Sequence, residues 1–547
     1  MRYFNDKKQL YEFIKKQKGL KILHVGNIAN NAYQNAKMLN KLGLDCDVLS
    51  YDYYHAMGCP EWDDSGFSGE IENMNFPEWK KVDLHGFKRP KWFISGPLWI
   101  CIQYSMAKRK KRKIRAFILW KLLEWTQNEI ARNKDSNNYT ILKLTNYKNS
   151  LLVFFLHLGS VIMSFMYRIF KVFRWSSNIK KGLLRLYNKI IEGRRKHINE
   201  INQDTKKINS IMQKIENDFK NYFPDKKCEF GEKTRALIQM SKSFKDIFNE
   251  YDVVFAYATN PIWLYLIGYE NYIAYEHGTI RDLPYEEDEF SKLMLLAYAK
   301  ARAIYVTNVD CYDSAKYIAK ALSTPIVCGL HGIDIDTMIQ RMEACEREQI
   351  IPNLGIKFKG ADIIFFCPSR HSWDEKLQLF LKGQDKVLRA AKKILNEYKN
   401  FKIILVRAGN DVDKVEKIIE DINLEEHVIW IDPVQKLELY KIYIYSDAVI
   451  DQFFTKSYGA ITFEVLAAGS SLISIDANEQ YQVDFFGDTL PYFACRNEMD
   501  IYNAMKEVIE RSNNYCKYTS VSREWVREHH SNNQIISALC EAIRYCA

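Results

Sequence analysis

The chain has 547 residues, more than one hydrophobic core normally supports, so two to four domains are expected. Hydrophobic residues make up 47% and charged residues 27%, which is ordinary for a globular protein. The net charge of +10 is uneven: residues 95–215 hold 25 Lys and Arg against 6 Asp and Glu, a net of +19, so the remainder carries about −9.

Twelve cysteines are scattered without a C-x-x-C pair. This spacing argues against a disulfide framework and against a zinc site, and favours reduced thiols in a cytoplasm. The first residues, Met1–Leu20, are charged and polar, so no signal peptide is predicted. We therefore expect a cytoplasmic protein without a metal site.

The chain opens with a predicted βαβ unit. Leu20–Gly26 is a buried strand ending in glycine, Ala32–Leu42 a helix and Cys46–Ser50 a second strand. The connecting loop Asn27–Asn31 is polar but lacks the G-x-G-x-x-G pattern. A dinucleotide-binding fingerprint is therefore absent, which argues against a dehydrogenase.

The segment Tyr51–Asp64 is dense in aromatic and hydrogen-bonding groups and directly follows a predicted strand. Sugar sites use such mixtures, because aromatic faces stack on C–H surfaces while carboxylates bind hydroxyls. An ordinary loop with aromatic anchors is the alternative.

The first domain, residues 1–330, contains a basic and partly apolar insertion at about 92–215. Two stretches in it lack formal charge, Trp92–Ala107 and Leu151–Tyr167, and both are followed by cations. Each is shorter than the ~20 apolar residues of a spanning helix. We expect in-plane or re-entrant contact with an anionic membrane surface, with a buried helical insert as the alternative and nucleic acid as a weaker third.

Further strands of the first domain alternate with helices, which predicts a mainly parallel, doubly wound sheet. They are Asp252–Tyr257, Tyr272–Tyr275, Ala303–Thr307 and Thr324–Cys328. His277 follows one strand end in Glu276-His277-Gly278-Thr279, where such sheets bind ligands. His277 is therefore either a functional or a structural histidine.

A second run of alternation occupies residues 331–525, and a terminal helical region occupies 526–547. The predicted elements are strands Asp362–Cys367, Lys402–Val406, Val428–Ile431 and Asp447–Ile450 and the long helix Gln384–Tyr398. The fold class is thus α/β, with two Rossmann-like domains in tandem. The default active site is the cleft between them.

The most informative stretch is Lys456–Ile475. A turn at Gly459 opens a short apolar helix, Glu464 lies about one turn in, Gly469 ends the helix, and strand Leu472–Ile475 follows. In such domains the helix N-terminus points at whatever lies beyond the strand ends. Glu464 would then face a ligand, although a solvated helix carboxylate is the alternative.

Four features in order across about 110 residues resemble the donor-binding half of GT-B glycosyltransferases, nearest to the retaining family 4 type (glycosyl transferases group 1). They are Pro368-Ser369-Arg370, Lys382-Gly383, Ser446-Asp447 and Gly459…Glu464 with Ala467-Ala468-Gly469. The first domain matches more loosely, through strand Ile22–Val25, Glu276-His277-Gly278-Thr279 and Gly332-Ile333-Asp334.

This resemblance implies a nucleotide-sugar donor and no separate cofactor or metal. Arg370 and Lys382 would neutralise the leaving pyrophosphate. Backbone N–H groups near Gly459 and Ala460 would add donors, and Glu464 would accept from the ribose hydroxyls.

By the same resemblance His277 lies near the transferred sugar and stabilises the developing oxocarbenium. The catalytic candidates are thus His277, Arg370 and Lys382. On the acceptor side the candidates are Gly26, Asn27, Tyr53 and His55.

The chain departs from the family at one position. The family carries a Glu eight residues before the ribose-binding one, and here that residue is Lys456. Recognition of the sugar by that carboxylate is lost, replaced or supplied elsewhere, with Asp451 a nearby candidate. A lysine there could bind an acidic sugar or a phosphate instead.

The leading functional hypothesis is a metal-independent, hexosyltransferase-like retaining enzyme that builds an envelope polysaccharide or glycolipid. Its acceptor would be lipid-linked or a glycan, and the enzyme would lie on the inner face of the cell membrane. The alternatives are a nucleotide-sugar epimerase of the same fold and a catalytically silent GT-B binding or scaffold protein.

Overall fold

A computed structural model describes residues 3–132, 206–347, 363–372, 382–511 and 516–546. Two parallel sheets, each covered by helices, account for most of these residues. This confirms the α/β class with two Rossmann-like domains. The predicted apolar stretch Leu151–Tyr167 lies outside the described residues.

The first sheet contains seven strands among the described residues, in the order β3-β2-β1-β4-β5-β6-β7. All six strand pairs are parallel. The strands are β1 Lys21–Val25, β2 Asp45–Ser50, β3 Phe93–Ser95, β4 Val253–Tyr257, β5 Tyr272–Tyr275, β6 Ala303–Val306 and β7 Ile326–Cys328.

The second sheet repeats this order with six described strands, β10-β9-β8-β11-β12-β13, again all parallel. The strands are β8 Ile363–Cys367, β9 Phe401–Val406, β10 Val428–Ile431, β11 Ala448–Ile450, β12 Ser471–Ile475 and β13 Phe493–Cys495. The predicted strands of both sheets are confirmed to within two residues, whereas β3 and β13 were not predicted.

Helices cross over between consecutive strands, as parallel pairing requires. In the first domain they are Lys7–Lys16, Asn31–Lys41, Pro60–Asp64, Leu98–Arg109, Lys113–Arg132, 206–222, Glu232–Ser241, Lys245–Phe248, Pro261–Ile267, Glu289–Ala299 and Tyr312–Lys320. Beyond the connecting helix Ile335–Arg347 they are Gln384–Glu397, Val412–Asp421, Lys436–Tyr445, Ala460–Ala468, Glu479–Phe486, Glu498–Arg511, Cys516–His529 and Asn532–Arg544.

The central strands are apolar without alternation because helices cover both faces of each sheet. Every residue of β4, β5 and β6 is buried. Stacked tyrosines run across these strands, with the rings of Tyr257 and Tyr275 4.1 Å apart and those of Tyr275 and Tyr305 4.6 Å apart. The Tyr257 hydroxyl accepts from Asn35 at 2.9 Å, so its polar end is satisfied inside the core.

The stretch Trp92–Ala107 is not a membrane segment, contrary to the prediction. It forms edge strand β3 and most of helix Leu98–Arg109, with Ile100, Cys101 and Ile102 buried in the protein core. An uncharged run is compatible with a bilayer or with a protein interior, and here the interior accounts for it.

The cations after this stretch are also partly used within the protein. Lys108 and Arg109 both pair with the buried Asp47, and Lys110 pairs with Glu250 at 3.0 Å. Among the described residues, no helix combines the length and apolarity that crossing a bilayer requires.

The last two helices tie the domains together. Helix Asn532–Arg544 returns to the first domain and packs on Lys7–Lys16, Asn31–Lys41 and β7, while Cys516–His529 packs on Ala460–Ala468. Arg523 donates to the carbonyls of Ala467 at 2.8 Å and Ala468 at 2.7 Å, where the helix dipole is negative.

Replacement of Arg523 by Ala should lower the unfolding free energy by about 3 kcal/mol, because it leaves buried helix carbonyls and Glu346 without their donor. Arg527, which is exposed and pairs with Glu343, is the matched control and should cost less than about 0.5 kcal/mol. Denaturant unfolding of both variants measures the difference, and equal losses would contradict the capping role.

Candidate functional site

The carboxyl ends of the two sheets carry the predicted site residues. Each strand order reverses direction at one point, between β1 and β4 in the first sheet and between β8 and β11 in the second. Such switch points open a crevice where ligands bind. Gly26 follows β1, Arg370 follows β8, and Asp451 follows β11.

The loop Asp451–Gly459 runs from β11 to helix Ala460–Ala468 and touches the first domain. Ser457 Oγ donates to Asn308 at 3.1 Å, and the His331 ring nitrogen Nε2 lies 2.9 Å from the Tyr458 carbonyl. Both contacts are buried. They fix the end of the loop, and hence the start of the helix, against the carboxyl edge of the first sheet.

Lys382 lies at the carboxyl edge of the second sheet. Lys382 Nζ donates to Gln452 at 2.6 Å. Burial lowers the pKa of Lys382, and the positive charges of Arg370 and Arg281 lower it further, while Asp451 opposes them. Lys382 therefore lies in the electrostatic field of Arg370 and of Arg281 from the first domain.

Sequence reasoning missed Arg281. Its guanidinium forms an ion pair with Asp310 and also reaches the Gly278 carbonyl at 3.3 Å. Gly278 has φ of +84°, and a Cβ there would lie 3.1 Å from Arg281 Nη1, so the glycine makes room for the cation. The available signal was its position in the loop that contains His277.

Glu464 is buried, only 3% exposed, and is already engaged. Lys436 Nζ lies 2.6 Å from its carboxylate, and the Tyr443 hydroxyl donates at 3.4 Å. Lys436 also lies 3.5 Å from Asp63 of the first domain. Burial acts to lower the pKa of Lys436, but Glu464, Tyr440 and Asp63 together outweigh it and hold that pKa well above its usual value.

Asp451 is buried as well, and it accepts from Ser369 Oγ at 3.0 Å. Burial raises its pKa, against the opposing charge of Lys382. The carboxylate therefore stabilises the loop after β8 and the ammonium of Lys382.

Gly459 and Ala460 begin the helix that carries Glu464, and Gly459 is its N-cap. A Cβ at Gly459 would meet no atom within 4 Å, so the backbone there borders open space. Lys456 is exposed in the same loop. Asp451, Lys456, Gly459, Ala460 and Glu464 thus lie along one continuous segment of the chain.

His277 is half-buried, and its Nδ1 has no hydrogen-bond partner among the described residues. Burial lowers its pKa to about 3, with the charges of His331 and Arg281 acting in the same direction. The ring is therefore neutral at neutral pH. It lies edge-on to His331 at 6.3 Å, beside the contact between the domains.

The predicted acceptor-side residues divide into two groups. Asn27 is buried, donates to the Gly58 carbonyl at 2.8 Å and accepts from Tyr33 N at 3.1 Å, so its side chain holds loops together. Burial lowers the pKa of His55, and the charge of Arg370 lowers it further.

Tyr53 lies in the same electrostatic field, since burial raises its pKa and the charge of Arg370 acts in the opposite direction. Gly26 has φ of +86°, and a Cβ there would lie 2.5 Å from Asn260 Nδ2. Any larger residue at position 26 would therefore displace the loop after β4.

Within the described residues, no group of three or more His, Cys, Asp or Glu side chains is arranged to hold a metal ion.

Comparison with known proteins supports the class of the second domain. Residues 378–520 match the family model of glycosyl transferases group 1. This match confirms that the second domain resembles the donor-binding half of GT-B glycosyltransferases. No curated protein matches the chain.

Solved structures align with little more than half of the chain, at low sequence identity. HepE of Anabaena in complex with UDP-glucose aligns at a TM-score of 0.42 and 14% identity, over 56% of this chain and 82% of that one. A mutant of TarM from S. aureus, in a complex that includes UDP, aligns at 0.40 and 15%, over 55% and 58%. Sucrose-phosphate synthase of Thermosynechococcus elongatus aligns at 0.41 and 14%, over 56% and 78%.

Glu276 generates a pH-dependent prediction. It is fully buried, accepts from Asn308 Nδ2 at 3.1 Å, and has its pKa raised to about 7 by burial. Because the folded state then holds a proton that the unfolded state has lost, this group destabilises the fold as pH rises from 4.5 to 7, by on the order of 3 kcal/mol.

Unfolding of wild type and Glu276→Gln across pH 5–8 checks this. Relative to the variant, the wild type should lose stability as pH rises. The difference in unfolding free energy between wild type and variant reports Glu276 alone. The buried histidines, whose pKa values are lowered, make stability rise with pH in both proteins and cancel in that difference. A pH-independent difference would show that Glu276 stays ionised.

Proposed function

We propose that this protein is a retaining glycosyltransferase that moves a sugar from a nucleotide-sugar donor to a glycan or glycolipid acceptor. The observation that carries the proposal is the positive charge of Arg370, Lys382 and Arg281 at the carboxyl edges of the two sheets. Lys382 lies within residues 378–520, which match glycosyl transferases group 1, Arg370 precedes them in the same domain, and Arg281 belongs to the first domain.

The chemistry needs positive charge at that place. When the bond between the anomeric carbon and the pyrophosphate breaks, the leaving oxygen gains negative charge. Desolvated cations stabilise it more strongly than solvated ones. Lys382 is partly buried, and the start of helix Ala460–Ala468 adds backbone N–H donors without a capping side chain. The cations thus supply the stabilisation for which other enzymes use a metal.

Glu464 is proposed to accept from the ribose hydroxyls. In the structure Lys436 occupies that carboxylate, so a donor must share or displace the ammonium. Since Lys436 also approaches Asp63 of the first domain, donor binding would be coupled to the spacing of the two domains. Neutral His277 is proposed to lie beside the transferred sugar, and the leaving phosphate to accept the acceptor's proton.

The acceptor is proposed to be membrane-associated, and the enzyme to act at the inner face of a cell membrane in envelope polysaccharide synthesis. Helix Lys113–Arg132 supports this with an apolar face of four exposed side chains, Ile114 (80% exposed), Phe117 (62%), Ile118 (60%) and Trp125 (58%). Exposed cations border it at Lys111, Arg112, Lys113 and Arg115. Apolar insertion flanked by cations is the pattern of an interfacial helix on anionic lipid.

The donor site is tested with Arg370→Ala, Lys382→Ala and Glu464→Ala. Each should reduce turnover of a nucleotide-sugar at least ~100-fold, because each removes a charge that contacts the donor. The controls are Lys399→Ala and Glu420→Ala, which are exposed and distant from the cleft.

Product analysis separates the alternatives. Transfer with retained anomeric configuration supports the proposal, and inversion overturns the retaining assignment. A changed sugar after incubation with donor alone identifies an epimerase. Binding without turnover for any donor–acceptor pair identifies a silent scaffold.

The membrane surface is tested by replacing Ile114, Phe117 and Ile118 with Ser. Sedimentation with vesicles that contain anionic lipid should fall at least about tenfold, since three apolar groups no longer enter the bilayer. A matched variant replaces three exposed apolar residues elsewhere, Val483, Met499 and Val521, and should sediment like the wild type. Equal sedimentation of all three proteins would overturn the proposed surface.

A further inference from the structure

Lys456 is an exposed cation on a fixed backbone. The next two residues, Ser457 and Tyr458, are buried and bonded to Asn308 of the first domain and to His331, which directly follows that domain. Its own side chain forms no hydrogen bond or ion pair with the described residues, although it lines a cleft of about 660 Å³ between the domains. An ammonium held in this way is available to a ligand.

Most of the carboxylates that line the same cleft already have partners. Asp310 pairs with Arg281, and Asp476 pairs with Arg496. Asp313 accepts from the Tyr481 hydroxyl at 2.6 Å and from Lys316 at 3.1 Å. These acids therefore do not neutralise Lys456.

Glu479 is the exception among these carboxylates. It stands at the start of helix Glu479–Phe486, lines the cleft, and makes no hydrogen bond or ion pair with the described residues. The cleft thus offers one unpaired cation and one unpaired carboxylate among the residues that the structure describes. A ligand that complements both carries an acid group and hydroxyl donors.

The cleft adjoins the place proposed for the pyrophosphate. Gln452 accepts from Lys382 Nζ through Oε1 at 2.6 Å and donates through Nε2 to the Ser457 carbonyl at 2.9 Å. One side chain therefore links the phosphate cation to the residue that follows Lys456. A sugar joined to a phosphate at Lys382 has this cleft as its neighbour.

We propose that Lys456 makes this enzyme select a donor sugar that bears a carboxylate, a uronic acid. The carboxylate pairs with the Lys456 ammonium, and the sugar hydroxyls donate to Glu479. This inference rests on the proposed glycosyltransferase function, of which it names the donor class.

Matched donor pairs test the selection by titration calorimetry: UDP-glucose against UDP-glucuronate, and GDP-mannose against GDP-mannuronate. Within the pair whose nucleotide binds, the wild type should bind the acidic member about tenfold more tightly. Lys456→Gln should remove the preference, and Lys456→Glu should favour the neutral member. The affinity for UDP or GDP alone should stay the same in all three proteins, which also shows that the variants fold.

Lys399→Glu is the control for a charge change outside the cleft and should retain the wild-type preference. Equal binding of both members by the wild type, or a preference that Lys456→Glu leaves unchanged, overturns the acidic-sugar inference. Provided that binding still depends on Arg370, the proposed function survives that result. Absence of Arg370-dependent binding for every donor overturns both.

Discussion

The contact between the loop Asp451–Gly459 and the first domain is the constraint on which the site depends. The Ser457–Asn308 hydrogen bond and the His331–Tyr458 contact are buried, so neither is exchanged for water while the domains stay together. They fix where helix Ala460–Ala468 begins. The open backbone at Gly459, the exposed Lys456 and the buried Glu464 all take their positions from that anchor.

Many charged side chains near this contact are paired with a side chain of opposite charge. Several buried or half-buried carboxylates there are paired with cations, as with Glu464 and Lys436 or Asp310 and Arg281. Such pairing is what burial of charge requires. The unpaired charges in the described part of the cleft are therefore informative, because the protein itself does not use them. This contrast supports a role for Lys456 in recognition.

The two terminal helices also hold the site in place, because they contact both domains. Helix Asn532–Arg544 lies on the first domain, whereas Cys516–His529 lies on the second and places Arg523 on the end of helix Ala460–Ala468. The helix that carries Glu464 is thus held at both ends. Relative motion of the two domains must therefore change the contacts of these helices and the ion pair between Lys436 and Asp63.

The sequence by itself determined the strand–helix alternation and the two parallel sheets. Apolar runs, and the glycines and polar residues that end them, are local properties of the chain, so neighbouring residues are enough to predict strands and helices. Strand β3 was not predicted, because three residues are too few to show a strand pattern. The uncharged residues around it are equally compatible with a bilayer and with a protein core. Only the tertiary structure decided that Lys436 meets both Glu464 and Asp63 and that Arg281 lies within the electrostatic field of Lys382. These contacts join residues distant in the chain, and their partners are chosen by the packing of two domains.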